Sequence, residues 1–573
     1  MWILKSSVFQ LLLLALLTLA VFSAGLSGSF YFDDEWNVLR NSALQIETLT
    51  SHELWRAAMS GTAGPLGRPL ATLTFAINYF ISGFDPYSFK LTNLLIHIAC
   101  GAAVYAVALS LSRQLTFKND QNRKLFAALV ATLWLLHPLN LTPVLYVVQR
   151  MTSLSALFCL LGMLAYISAR QSSKDQRLRA IILLLVTYAV CFPLALLSKE
   201  NAALLPAYCF LIELIFFRFR DGNGGSSKPV IGLHLALVLI PGLLVLTYLL
   251  ISPEWIQGGY ARRDFTMLER VLTESRILVF YMSQLLLPLN SELALFHDDI
   301  VISSGLFSPL TTLLSIVLIL GLLVFAAFQL KRRPVIAFAI LFFFCAHLLE
   351  STILALELTH EHRNYLASFS VVFACAYYLI ALLEYSTKKG ALAAVLVIAF
   401  LGVTTTIRAA VWGNPAVQAW QEVTDHPDSP RANYGIGKRY AIYASGLADS
   451  EQKQEAVRQA SEYFKKSTVL RDSYTDGLFG LLMLEGIEGF RVDQTFIDLL
   501  LARLAEGPFN NNNYNYLNAL FSCIEARECQ FSNDSSSDNI VDKIMTACQR
   551  NPSFSGRHKQ AILVRYQAYV AQK

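Results

Sequence analysis

About eleven apolar runs of bilayer-spanning length recur along the chain, near 7–27, 88–112, 125–145, 150–169, 179–198, 201–218, 230–251, 309–330, 335–354, 366–385 and 390–411. In lipid only a helix satisfies the backbone of such a run within the run itself, so each is expected to be a transmembrane helix. The expected fold is therefore all-α and polytopic. Composition agrees: 55% of the 573 residues are hydrophobic and 15% are charged, well outside the range of an ordinary soluble domain. The formal charge of +5 is spread over short clusters between the runs and forms no single basic face, which argues against nucleic acid as a partner.

Those clusters orient the chain. Arg113, Lys118, Arg123 and Lys124; Arg170, Lys174, Arg177 and Arg179; Arg218, Arg220 and Lys228; Lys331, Arg332 and Arg333; and Lys388 and Lys389 all fall on the side of the N-terminus, which the positive-inside rule makes cytoplasmic. The run 277–289 is the exception. It is short and carries Pro288, and a crossing there would put Lys331–Arg333 on the wrong side, so it reads as interfacial or re-entrant. The first run follows Lys5 and is nearly long enough to cross, which favours a retained span over a cleaved signal peptide.

The outer face then receives 28–87, 137–149, 199–200, 252–308, 355–365 and everything after about 412. This divides the chain into a membrane domain, 1–411, with large outer loops at 28–87 and 252–308, and a helical domain, 412–573. Within 429–470, Tyr434, Gly437 and Tyr440, then Ala460, Tyr463 and Phe464, give two amphipathic helices with small and aromatic residues spaced as in a tetratricopeptide unit; a generic helical pair fits as well. Asn510–Asn513 and 532–538 read as polar loops. Six of the nine cysteines lie in apolar runs without metal-ligand spacing. Cys523, Cys529 and Cys548 lie in the polar tail, where an oxidising compartment allows one disulfide and one free thiol.

The chemistry-bearing residues gather on the outer face. Asp33, Asp34 and Glu35 stand among Tyr31, Phe32 and Trp36 just after the first run. Arg68, His137, Gln149, Arg150, Lys199, Glu200, His360, Glu361, His362, Arg363 and Asn364 follow on the same face, several at span ends, where a charge is costly unless paired or used. Lys199 either snorkels or meets a phosphate, and the fork of Arg363 suits a phosphate. The pair His360 and His362 has no evident third and fourth ligand, so no metal site is assigned. His97 and His347 read as helix-packing hydrogen-bond groups. The segment with Tyr260, Arg262, Arg263 and Asp264 is expected to cover the site.

The ordered series Phe32-Asp33-Asp34, Gly67-Arg68-Pro69-Leu70, Asn93-Leu94-Leu95-Ile96-His97, Leu136-His137-Pro138, Val148-Gln149-Arg150-Met151, Ser198-Lys199-Glu200 and Glu361-His362-Arg363-Asn364-Tyr365 resembles the transmembrane O-mannosyltransferases that carry tetratricopeptide repeats, and their bacterial relatives. The resemblance covers roughly 28–370. It implies a GT-C glycosyltransferase that takes a sugar from a polyprenyl-phosphate carrier in the membrane, with Asp33 or Asp34 as the general base on an acceptor hydroxyl. Lys199, Arg363, Arg68 and Arg150 would then meet the donor phosphate, with Glu35, His137, Gln149, Glu200, His360, Glu361, His362 and Asn364 nearby. No cofactor is required on this reading, although a divalent ion beside Asp33, Asp34 and His360 is compatible with it.

The eukaryotic members carry many repeats, whereas this tail has room for one or two. That favours a bacterial inner-membrane enzyme with a cytoplasmic N-terminus and a periplasmic C-terminal domain. Its acceptor would be a periplasmic protein, such as a pilin, or a glycan. Two other readings stay open: an oligosaccharyltransferase, O-antigen polymerase or ligase using a diphosphate-linked donor, and a transporter or scaffold.

Overall fold

The computed structural model describes residues 7–172, 174–221, 224–252, 254–448, 450–488, 490–529 and 540–572. Lys5 and the loop expected at 532–538 lie outside them. Among the described residues there are helices and no named strand, and nine helices are long and apolar enough to cross a membrane: Ser7–Gly25, Pro86–Gln114, Val147–Arg170, Arg177–Leu196, Glu200–Phe217, Lys228–Ile251, Thr311–Gln329, Glu361–Tyr385 and Thr387–Trp412. The chain is an all-α polytopic membrane protein.

Two of the apolar runs take other forms. The run 125–145 is a helix pair, Asp120–Leu135 and Pro138–Leu145, bent by 59°. Pro138 causes the break: the residue before a proline is driven out of helical geometry, and His137 is extended at φ −71°, ψ 123°. The run 335–354 is helical only over Pro334–His347, and its apolar remainder continues as turns that carry Glu350 inward. Residues 277–286 of the run expected to be interfacial belong to the helix Met267–Leu286, which does not meet the spanning criterion.

Val147–Arg170 is the most enclosed span and packs against Pro86–Gln114. Lys228–Ile251 and Thr311–Gln329 lie at the periphery, with their leucines and valines exposed, as lipid-facing helices require. His97 bridges Tyr365 Oη at 2.8 Å and the Leu135 carbonyl at 3.1 Å, and His347 meets the Phe343 carbonyl at 2.9 Å. Both are packing groups.

The loop after the first span leaves that span against the end of the last one. A Cβ on Gly28 would stand 2.0 Å from the Trp412 carbonyl oxygen, and one on Gly413 2.0 Å from that of Ala24. Only glycine permits this approach of the two backbones. Tyr31 Oη then donates to the Trp412 carbonyl at 2.6 Å, which fixes the loop beside the start of the C-terminal helices.

Those helices begin with Pro415–Asp425, followed by the pair Pro430–Ser445 and Glu451–Leu470. Gly437 and Gly480 let the Phe464 ring approach both neighbouring helices. The remaining helices close a separate apolar cluster around Leu517 and Phe521. Cys523 and Cys529 form a disulfide, and Cys548 is a buried free thiol.

Candidate active site

The two adjacent aspartates are used differently. Asp34 is fully buried. Its carboxylate accepts the backbone N–H groups of Tyr31 at 2.9 Å, Val147 at 3.3 Å and Val148 at 2.7 Å. The last two are free amides at the entrance to the Val147–Arg170 span, where a helix start offers unpaired donors to an anion. Burial pushes the Asp34 carboxyl up to about 7, against the pull of these amides and of Lys90. This aspartate staples the loop after the first span to Val147–Arg170.

Phe32 takes a left-handed turn at φ 39°, and Asp33 emerges from it half-buried at the wall of a cavity of about 640 Å³. Its amide donates to the Tyr146 hydroxyl at 3.0 Å. Burial, and then the Glu357 carboxylate, raise the Asp33 carboxyl to about 6, opposed by Tyr146, Arg431 and Arg68. A carboxylate with this pKa is ionised at neutral pH yet basic enough to accept a proton.

Four parts of the chain meet around this cavity: Phe32 and Asp33; Arg262, Arg263, Asp264 and 295–300; 355–360; and Arg431, Arg471, Tyr474 and Asn510–Asn512 from the C-terminal helices. Three of the four residues expected in a covering segment thus line it, while Tyr260 donates to the Ile353 carbonyl at 2.8 Å. Glu357 is its electrostatic centre. Arg431 grips it with both terminal nitrogens, at 2.7 and 2.8 Å, and lies over the Phe32 ring at 5.2 Å. Arg263 and His360 approach Glu357 at 3.7 and 3.6 Å. Burial pushes His360 down to about 3, with Arg363 acting in the same direction, so its imidazole is neutral.

The 350–358 turn that presents Glu357 is held by two buried arginines. Arg270 donates to the carbonyls of Glu350, Thr352 and Leu356 at 2.7, 3.0 and 2.6 Å. Arg363 donates to that of Leu358 at 2.7 Å and to that of Glu357.

Most of the other expected site residues are committed elsewhere. Arg363 spends its fork on those carbonyls and lies by a second, very small pocket with His362; it does not line the main cavity. Arg150 is a buried knot, donating to Asn93 Oδ1 at 2.6 Å, the Thr74 carbonyl at 3.1 Å and the Phe89 carbonyl at 2.9 Å. Lys199 pairs with Glu350 at 3.0 Å and donates to Thr152 Oγ1 at 3.1 Å. Burial lowers its pKa against the pull of Glu350. Arg68 pairs with Glu200 at 2.9 Å.

His137 meets the Leu285 carbonyl at 3.1 Å, and Gln149 accepts from Thr152 at 2.9 Å. Glu361 pairs with Arg408 at 2.6 Å, Asn364 donates to the Glu361 carbonyl at 3.3 Å, and Glu35 bridges Arg40 and Lys438 at 2.8 and 3.3 Å. Of the residues read from sequence as site candidates, the cavity receives Asp33 and His360. It also takes Glu357, Arg431, Asp298 and Tyr474, for which the sequence offered no motif. Among the described residues no three His, Cys, Asp or Glu side chains converge as a metal-ligand set.

Part of the chain is similar in sequence to protein O-mannosyl-transferases, the resemblance already visible in the motifs. It is 36% identical over 166 residues to protein O-mannosyl-transferase TMTC4 of Homo sapiens, covering 27% of this chain and 22% of that protein. It is 30% identical over 190 residues to TMTC3 of Mus musculus (32% and 19%) and 32% identical over 156 residues to TMTC2 of Homo sapiens (26% and 18%). The match thus spans less than a quarter of the length of these relatives. No family model matches the chain, and no solved structure does.

Proposed function

We propose that the chain is a membrane glycosyltransferase that moves a sugar from a polyprenyl-phosphate donor to a hydroxyl of a protein acceptor, with Asp33 as the general base. The observation that carries this reading is the placement of Asp33: held by its stapled neighbour, it is the member of the pair that reaches the cavity, and its pKa suits proton transfer near neutrality. The names of the similar proteins support the reaction class.

In this reaction Asp33 takes the proton of the acceptor hydroxyl as that oxygen forms a bond to the anomeric carbon. The bond from that carbon to the phosphate oxygen breaks, and polyprenyl phosphate leaves. Arg68, one of the four cations expected at the donor phosphate, pulls the Asp33 pKa down, so the phosphate is assigned to its side of the cavity. The Cys523–Cys529 disulfide supports an oxidising, extracytoplasmic compartment for the C-terminal helices, in keeping with a bacterial inner membrane and a periplasmic acceptor.

The test is a panel of labelled polyprenyl-phosphate sugars given to the purified chain in lipid nanodiscs with serine- and threonine-containing peptides. The expected product is a glycosylated hydroxyl with inverted anomeric configuration. Transfer from diphosphate-linked donors alone would replace this reading with the oligosaccharide-transferase alternative.

A further inference from the structure

The cavity is lined by four arginines, Arg262, Arg263, Arg431 and Arg471, and four carboxylates, Asp33, Asp264, Asp298 and Glu357, and one of the arginines is not used by the proposed reaction. Arg263 and Arg431 face Glu357, and Arg471 pairs with Asp264 at 2.7 Å. Asp298 accepts the Ser429 hydroxyl and the Arg431 amide. Arg262 also lines the cavity; its side chain is exposed and makes no hydrogen bond or ion pair among the described residues.

Part of its surroundings comes from the C-terminal part of the chain. The neighbouring Ala261 carbonyl accepts from Ser553 Oγ at 3.4 Å, and the Arg262 charge acts on the Tyr514 phenol. A second group in the same lining is also unused: the Thr359 hydroxyl is 7% exposed and has no partner. Asn511 and Asn512 add carboxamides, which can both donate to and accept from a peptide backbone.

We propose that this wall is an acceptor subsite for a polypeptide segment that carries an acidic side chain close to its reacting hydroxyl, with Arg262 as the counter-ion of that acid and Thr359 and the asparagines meeting the peptide backbone. The inference rests on the glycosyltransferase reading and specifies its acceptor. A guanidinium without a partner, in a cavity whose other cations are matched, selects a carboxylate or a phosphate by charge-assisted hydrogen bonds. The donor phosphate is tethered to the membrane, whereas Arg262 stands exposed on the side of the cavity next to Ser553 and Tyr514 of the C-terminal part, so the carboxylate of an acceptor is the better fit.

The experiment measures binding of two fluorescent serine peptides to the full chain in nanodiscs, identical except that one has Asp and the other Asn beside the serine. The wild type is expected to prefer the acidic peptide roughly tenfold at low salt, and Arg262→Gln to lose that preference. Equal affinity of the wild type for both peptides, or a preference that survives in Arg262→Gln, would overturn the inference. So would a rise in donor KM in Arg262→Gln with peptide preference intact, which would move Arg262 to the donor phosphate. Because binding is read without turnover, failure of the glycosyltransferase reading is seen separately, as absence of transfer with the acidic preference still present.

Discussion

Asp33→Asn is expected to lower sugar transfer by roughly 10²–10⁴-fold, the usual contribution of a positioned general base, while leaving the thermal unfolding of the chain nearly unchanged. The amide keeps the side chain's shape at a partly open wall and removes only its basicity. Asp34→Ala should behave in the opposite sense. Three backbone amides lose their shared acceptor, and a buried donor left unpaired costs roughly 1–3 kcal/mol, so the chain should unfold at a clearly lower temperature and lose activity as a consequence. Transfer assays and thermal unfolding on both variants separate the two roles. A stable Asp34→Ala protein without activity, beside an active Asp33→Asn protein, would exchange the assignments.

The second large effect concerns Lys199 and Glu350, both almost fully buried and 3.0 Å apart. Burial raises the Glu350 carboxyl, but Lys199 and then Arg363 outweigh it and hold the group near 2. Lys199→Met leaves that carboxylate unpaired and should destabilise the chain by roughly 3–5 kcal/mol. Removing both charges, in Lys199→Met with Glu350→Leu, should restore most of the stability, because a buried pair replaced by apolar groups is often neutral. If the pair is structural, transfer returns with stability. If the double variant melts like the wild type yet remains inactive, Lys199 contacts the donor phosphate and its structural assignment falls.

The reach of the sequence can be followed residue by residue. The apolar runs announce the spans because a bilayer demands long stretches of one character, but averaging hydropathy hides where a helix stops. Pro138 breaks one run, and another stays apolar past His347 although its backbone has already turned. The acidic pair after the first span was legible as a site candidate, whereas the division of labour within it was not, since two of the three amides that claim Asp34, those of Val147 and Val148, lie more than a hundred positions away. Arg363 and Arg150 looked available for a phosphate because a guanidinium at a span end must be used. The structure uses them on carbonyls. Arg431 and Glu357, 74 positions apart and in unremarkable local sequence, could be found only by folding the C-terminal helices onto the loops between the spans.

The central claim is that Asp33 is the base and that burial, and after it the Glu357 charge across the cavity, raises its basicity. The most direct test is the pH dependence of kcat/KM for the wild type and for Glu357→Gln. Ionised Asp33 is the active form, so kcat/KM should fall tenfold per unit below its pKa of about 6 and level off above it. Removing the Glu357 charge, which raises that pKa, should move the acid limb to lower pH. A profile that is flat across roughly pH 4.5–8, or an acid limb that stays in place in Glu357→Gln, would contradict the account.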